Sequence, residues 1–269
     1  MNAGGENMQK TFCIVGTDAR QRAAARALQR AGYAVTGAES AGNADYILLP
    51  MPLDAGKANL ARILRAARPG TLALGGKVSP PVQAAADAAG IELIDYFQRP
   101  ELASLNAVPT AEGCICLLMQ LRERTIWQSP ILVLGYGKVG RAVARRLQVL
   151  GGRVTVAARS PEQRAGARCA GCRAADLTQL CRLLPGFDAV VNTIPAPVLG
   201  KGELACLPAG ALVIDLASMP GGTDFAAARA LGIRAEHALS LPARCAPQTA
   251  GELVADTVLN ILEERGETI

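Results

Sequence analysis

Short apolar runs alternate with segments of helical spacing along nearly the whole chain. In the first part the runs fall at residues 11–15, 33–36, 45–49, 71–74 and 91–94. Pro50, Pro52, Pro69-Gly70 and Pro80-Pro81 interrupt the stretches between them. In the second part the runs recur at 131–134, 153–157, 188–191, 211–215 and 233–235. Apolar runs of strand length predict strands covered on both faces, and their alternation with helical segments predicts parallel sheets. A helix opens at Pro109 with Thr110 as its expected N-cap and runs through Leu117, Leu118 and Leu121 to about residue 125. Pro247 starts a last helix carrying Leu253, Val254, Val258, Leu259 and Leu262. The expected fold class is α/β: two doubly wound, Rossmann-like domains with an interdomain cleft. The expected boundaries are 1–108 for a substrate-side domain and 109–246 for a dinucleotide-binding domain with its linking helix. Residues 247–269 form a helix expected to pack back toward the first domain.

The most informative local pattern is Gly135-x-Gly137-x-x-Gly140. It follows an apolar strand, and Val139, Val143, Leu147 and Leu150 then recur at helical spacing while Arg141, Arg145 and Gln148 fall off that stripe. In this context Gly135 permits the tight turn, Gly137 lets a pyrophosphate approach, and Gly140 lets helix and strand pack closely. The next strand ends on Arg159-Ser160 with no acid. An acid there accepts from the ribose 2′-OH of NAD, whereas an arginine suits the 2′-phosphate of NADP, so NADP is favoured over NAD. The loops after the strands at 188–191 and 211–215 would flank the nicotinamide. The expected cofactor set is Gly135, Tyr136, Gly137, Lys138, Val139, Gly140, Arg159, Ser160, Asn192, Thr193, Pro195 and Ser218. The first domain's turn lacks such glycines: Asp18 reads as an N-cap with Gln21 as its capping-box partner.

Composition narrows the chemistry. A net charge of +5 without basic clusters, and aromatics at 3%, argue against nucleic-acid binding. No uncharged run approaches the length of a membrane span. Residues 1–10 read as a polar, frayed start without a secretory leader, and the eight cysteines then read as reduced cytoplasmic thiols. With one histidine, His237, multi-histidine metal sites are impossible within one chain; His237 reads as a partly buried polar group. Cys169-x-x-Cys172 lacks the second pair that structural zinc needs, so no metal is expected.

Several further segments carry a family resemblance. They are Gly16-x-Asp18-Ala19-Arg20-Gln21, Asn106-x-x-Pro109-Thr110-x-Glu112-Gly113, the glycine turn, Ala158-Arg159-Ser160 and Asn192-Thr193-Ile194-Pro195. Asp215-Leu216-Ala217-Ser218-x-Pro220-Gly221-Gly222-Thr223-Asp224-Phe225 and Ala246-Pro247-x-Thr249-Ala250-Gly251 complete the series. In this order the chain resembles the A-subunit family of dipicolinate synthase from spore-forming bacteria. Leu241-Pro242-Ala243-Arg244 departs from the family's L-P-G. The resemblance implies NADP-dependent oxidation of dihydrodipicolinate to dipicolinate in the mother-cell cytoplasm. It also implies a partner, the flavoprotein-like B-subunit of dipicolinate synthase. A homo-oligomer is compatible with it.

Such a reaction needs grips for two carboxylates and a sink for one proton. Arg20 with Thr17 beside it is the leading carboxylate site, with Arg244 and Lys77 behind, and Asn106 and Thr110 can hold the ring. Glu112, Asp18 and Asp224 are the candidate bases, Glu112 first because Asp18 has a structural role as a cap, and water is an alternative acceptor. Thr110 serves equally as a helix cap, and so does Asp224. Two other readings stay open: an NADP-binding regulatory or scaffold protein whose partner does the chemistry, and an NADP reductase of another small carboxylate.

Overall fold

The predicted runs form strands, buried on both faces at the centre of each sheet and only half-buried where the runs at 33–36, 91–94 and 233–235 lie at sheet edges. The computed structural model describes residues 9–53 and 60–267, so the expected frayed start at 1–10 lies mostly outside the described residues. The chain divides into two compact units, Met1–Asn106 with Ala246–Ile269, and Ala107–Cys245.

In the first unit β1 (Thr11–Ile14), β2 (Ala34–Gly37), β3 (Tyr46–Leu48), β4 (Leu72–Gly75) and β5 (Glu92–Asp95) form a parallel sheet of order β2-β1-β3-β4-β5. That is one of the two common doubly wound orders. The last helix, Pro247–Glu264, is built into this unit. Gly251 allows the contact: a Cβ there would stand 2.3 Å from the Arg20 carbonyl oxygen and 2.9 Å from Ala24 N. Val254, Val258 and Leu262 then complete a core with Phe12, Leu28 and Tyr46. At the surface Arg265 grips Glu92 through Nη1 at 2.7 Å and Nη2 at 2.9 Å.

The second unit contains β6 (Pro130–Leu134), β7 (Arg153–Ala158), β8 (Arg173–Asp176), β9 (Ala189–Asn192), β10 (Leu212–Asp215) and β11 (Arg234–His237). Its parallel order is β11-β10-β9-β6-β7-β8, and the direction of winding reverses between β6 and β9. Apolar patterning does not predict β8, because its RAAD sequence carries only two alanines and its arginine is exposed. It forms as an edge strand on β7.

The linking helix begins at Ala107, not Pro109, and runs to Leu121. Thr110 therefore lies inside the helix and is not its cap. Together with Pro100–Leu105 it makes a segment, Pro100–Leu121, that by length and composition could cross a membrane, although Glu101 and Glu112 interrupt it; its most apolar 18-residue window has mean hydropathy 1.4. Leu102 is buried in the first unit and Ala111, Cys114 and Leu118 in the second, which accounts for much of that hydropathy.

Candidate functional site

β6 ends at Leu134 and the chain turns through Gly135, whose φ of 89° is the left-handed region. A Cβ on Gly140 would lie 2.3 Å from the Gly135 carbonyl oxygen, so the helix Lys138–Val149 can sit on the turn only because residue 140 is glycine. A Cβ on Gly137 would meet nothing within 4 Å. That open space is where a ligand can approach the backbone. No side chain caps this helix and no acid lies in its first turn. Its first N–H groups and the positive end of its dipole are thus left for an anion. Lys138 is exposed and Val139 half-buried against the core. Tyr136 points inward, 6% exposed, with the Arg141 guanidinium 5.4 Å from its ring centroid. It can serve a cofactor through its backbone, not its ring.

The corresponding turn of the first unit is closed. Asp18 Oδ1 accepts from Arg20 N at 2.8 Å and Gln21 N at 3.1 Å, so the chain's own carboxylate fills the helix start. Gln21 is not a capping-box partner: it is buried and its Nε2 donates to the Val15 carbonyl at 2.7 Å.

At the end of β7 the Arg159 side chain is exposed, and among the described residues its guanidinium has no recorded partner. Arg164 is occupied instead. Its Nη1 reaches the carbonyls of Ala158 (2.9 Å) and Arg159 (2.6 Å) and Asp176 Oδ2 (2.8 Å). Ser160 caps the helix Pro161–Cys169, its Oγ accepting from Gln163 N at 3.4 Å. Hydrogen bonds from Thr178, aided by Arg164, hold Asp176 below the usual carboxylate range. Arg164, Arg168, Asp176 and Gln179 line a cavity of about 430 Å³.

The ends of β9 and β10 carry a buried polar cluster. Asn192 Nδ2 donates to Asp215 Oδ1 at 3.0 Å and to the Ile194 carbonyl at 3.1 Å, while Asn192 Oδ1 accepts from Ile194 N at 3.0 Å. Thr193 Oγ1 donates to the Leu134 carbonyl at 2.8 Å and so buttresses the glycine turn. The side chains of Asn192 and Thr193 thus shape the loop. Pro195 and Ser218 are exposed on the loops that follow. Asp215, absent from the predicted site, is fully buried and accepts from Ala217 N (2.9 Å) and Gly222 N (2.8 Å) as well as from Asn192. The only available signal was an Asn and an Asp each closing an apolar run.

Neither Glu112 nor Asp224 is poised as a base. Glu112 is exposed, with Arg146 Nε 3.5 Å from its Oε1. Asp224 caps the helix Phe225–Ala230, accepting from Ala227 N at 2.9 Å. In the first unit Arg20 Nη2 donates to the Met51 carbonyl and Nε lies 3.8 Å from Asp18 Oδ1. Thr17 beside it is exposed. Asn106 ends the helix Pro100–Leu105 and is half-buried. Lys77 Nζ lies 4.8 Å over the Phe97 ring, and exposed Arg244 reaches the Leu239 carbonyl at 3.5 Å. Among the described residues no group of three or more metal-ligating side chains occurs.

An open glycine turn, an uncapped helix start and an unpartnered arginine at the second strand fit a phosphorylated dinucleotide. Residues 131–253 match the family described as the saccharopine dehydrogenase NADP binding domain. Over 173 residues the chain is 38% identical to the dipicolinate synthase A-subunit of Bacillus subtilis (strain 168), covering 64% of this chain but 58% of that relative's length. The crystal structure of the dipicolinate synthase A-subunit from Bacillus halodurans superposes with a TM-score of 0.86 at 31% identity, covering 94% of this chain and 97% of that one. The crystal structure of its Bacillus subtilis counterpart gives 0.85 at 29%, covering 96% and 97%. With the turn, the sheet order and the structural match over nearly all of this chain in agreement, the chain belongs to the A-subunit family of dipicolinate synthase.

Proposed function

We propose that this chain is an NADP-dependent dehydrogenase that oxidises dihydrodipicolinate to dipicolinate, working with a second, different polypeptide. The observation that carries the reading is the pairing of the open turn at Gly137 with the unpartnered guanidinium of Arg159. The turn suits the pyrophosphate and Arg159 suits a 2′-phosphate. When bound, NADP+ accepts a hydride at nicotinamide C4. The dihydropyridine loses that hydride and one proton, and the ring becomes aromatic. Aromatisation supplies driving force, so the chain acts chiefly by holding donor and acceptor together. One proton is released together with the hydride. Arg20, with one edge of its fork held by Met51, is the first unit's candidate for a substrate carboxylate.

The engaged carboxylates also favour a second reading, in which this chain holds the cofactor and its partner performs the oxidation. One experiment separates the two. The purified chain is given NADP+ and dihydrodipicolinate generated in situ, with and without the flavoprotein-like B-subunit, and NADPH and dipicolinate are followed. Formation by the chain alone supports the dehydrogenase reading. Formation only with the partner makes this chain a cofactor-binding component. No formation in either case sinks the dipicolinate assignment.

A further inference from the structure

His237 is the one histidine of the chain, and none of the cofactor or substrate roles above uses it. It ends β11 directly abreast of Asp215, which is itself abreast of Asn192. Three polar residues therefore stand side by side at the carboxyl ends of neighbouring strands. His237 Nε2 lies 2.9 Å from the Ala217 carbonyl oxygen. A carbonyl only accepts, so Nε2 carries the hydrogen. The ring also stacks on Phe225, centroids 5.1 Å apart and planes 22° from parallel.

The consequence falls on the loop after β10. Ala217 is held at both polar groups: its N–H by Asp215 at 2.9 Å, its carbonyl by His237. Gly222 N is held by the other oxygen of Asp215 at 2.8 Å, and Gly221 N bonds the Ser218 carbonyl at 2.8 Å. Between these fixed points Ser218, Met219 and Pro220 form an exposed crest, with Met219 70% exposed. The crest lies on the β9-β10-β11 half of the sheet, across the switch point from the half that bears Arg159. In this sheet order a dinucleotide lies across the switch point with one nucleotide over each half.

We propose that His237 is a positioning residue that, through Ala217, sets the Ser218–Pro220 crest as the rim of the nicotinamide half of the site. This inference rests on the NADP reading above. It separates the two halves of the ligand: the crest acts on the nicotinamide nucleotide and leaves the adenosine 2′-phosphate half untouched.

The test compares two probes on the full chain by titration, NADPH and 2′-phospho-ADP-ribose, which lacks the nicotinamide. His237→Phe keeps an aromatic ring for Phe225 and removes the donor; His237→Gln keeps an N–H donor. His237→Phe is expected to weaken NADPH by roughly three- to tenfold, the worth of one neutral hydrogen bond, and to leave 2′-phospho-ADP-ribose unchanged. His237→Gln should recover most of the loss. His237→Leu removes the donor with a smaller apolar side chain. It provides the same comparison if His237→Phe does not fold. Unchanged NADPH affinity, or equal loss for both probes, would overturn the proposal. A wild-type chain that binds neither probe overturns the NADP reading itself, and the proposal with it.

Discussion

Asn192 Nδ2 donates to Asp215 Oδ1 at 3.0 Å, a side-chain bond that adds to the backbone ladder where β9 and β10 end. Both residues are fully buried. A buried carboxyl group in that position is satisfied because three donors converge on it. Asp215→Ala would leave the amide of Asn192 and the N–H groups of Ala217 and Gly222 without their acceptor. The expected cost is about 3 kcal/mol or more in urea unfolding, against about 1–2 kcal/mol for Asn192→Ala. A loss below about 1 kcal/mol for Asp215→Ala would mean the cluster is not a structural hub.

Arg159 and Arg164 should behave in opposite ways. Among the described residues Arg159 has no recorded partner, so Arg159→Ala should leave thermal stability unchanged while weakening NADP+ by about 10- to 100-fold, the worth of a charge-assisted contact. NAD+ affinity should hardly move. Arg164→Ala removes contacts to two carbonyls and Asp176, so it should lower the melting temperature. Equal loss of NADP+ and NAD+ in Arg159→Ala would show that the 2′-phosphate reading is wrong.

The glycines of the turn can be told apart by what an added methyl meets. Gly137→Ala projects into open space, so the fold should stand while NADPH binding falls about tenfold or more. Gly140→Ala drives its methyl against the Gly135 carbonyl, so stability itself should drop by about 1–3 kcal/mol. Denaturation curves beside NADPH titrations check both.

Burial, with a smaller contribution from Glu39, pushes the Cys13 thiol from an ordinary 9.0 up to about 11. The unfolded chain then loses this proton first as pH rises. The contribution of Cys13 is complete below pH 9 and disappears as the pH climbs toward 11. Melting temperatures measured from about pH 8 to 11 should fall less steeply for Cys13→Ala than for the wild type. Identical slopes would exclude Cys13 from the alkaline transition.

Much of the architecture is legible in the chain. Runs such as Ile131–Leu132–Val133–Leu134 have no polar residue to offer a solvated face, and their strand length between Pro130 and Gly135 points to strands buried on both sides. Less apolar segments escape that logic: β8 exists because β7 offers it an edge, and RAAD would otherwise read as loop. The same division runs through the site. Gly135, Gly137 and Gly140 are recognisable because backbone conformation and close approach are local demands, met by a spacing along the chain. Asp224, Glu112 and Gln21 look like candidate acids or caps in the sequence, but their roles depend on which partners arrive in three dimensions.

The sequence by itself determined two parallel α/β sheets, the glycine turn and the arginine at the end of the next strand. Periodicity and local backbone geometry are properties of neighbouring residues, so they survive without coordinates. Only the tertiary structure decided that Asp18 fills the first helix start while the Lys138 helix start stays open, and that Asn192, Asp215 and His237 stand abreast. Those facts belong to strands brought together from distant parts of the chain, where a buried carboxyl is satisfied by donors that sequence spacing does not place.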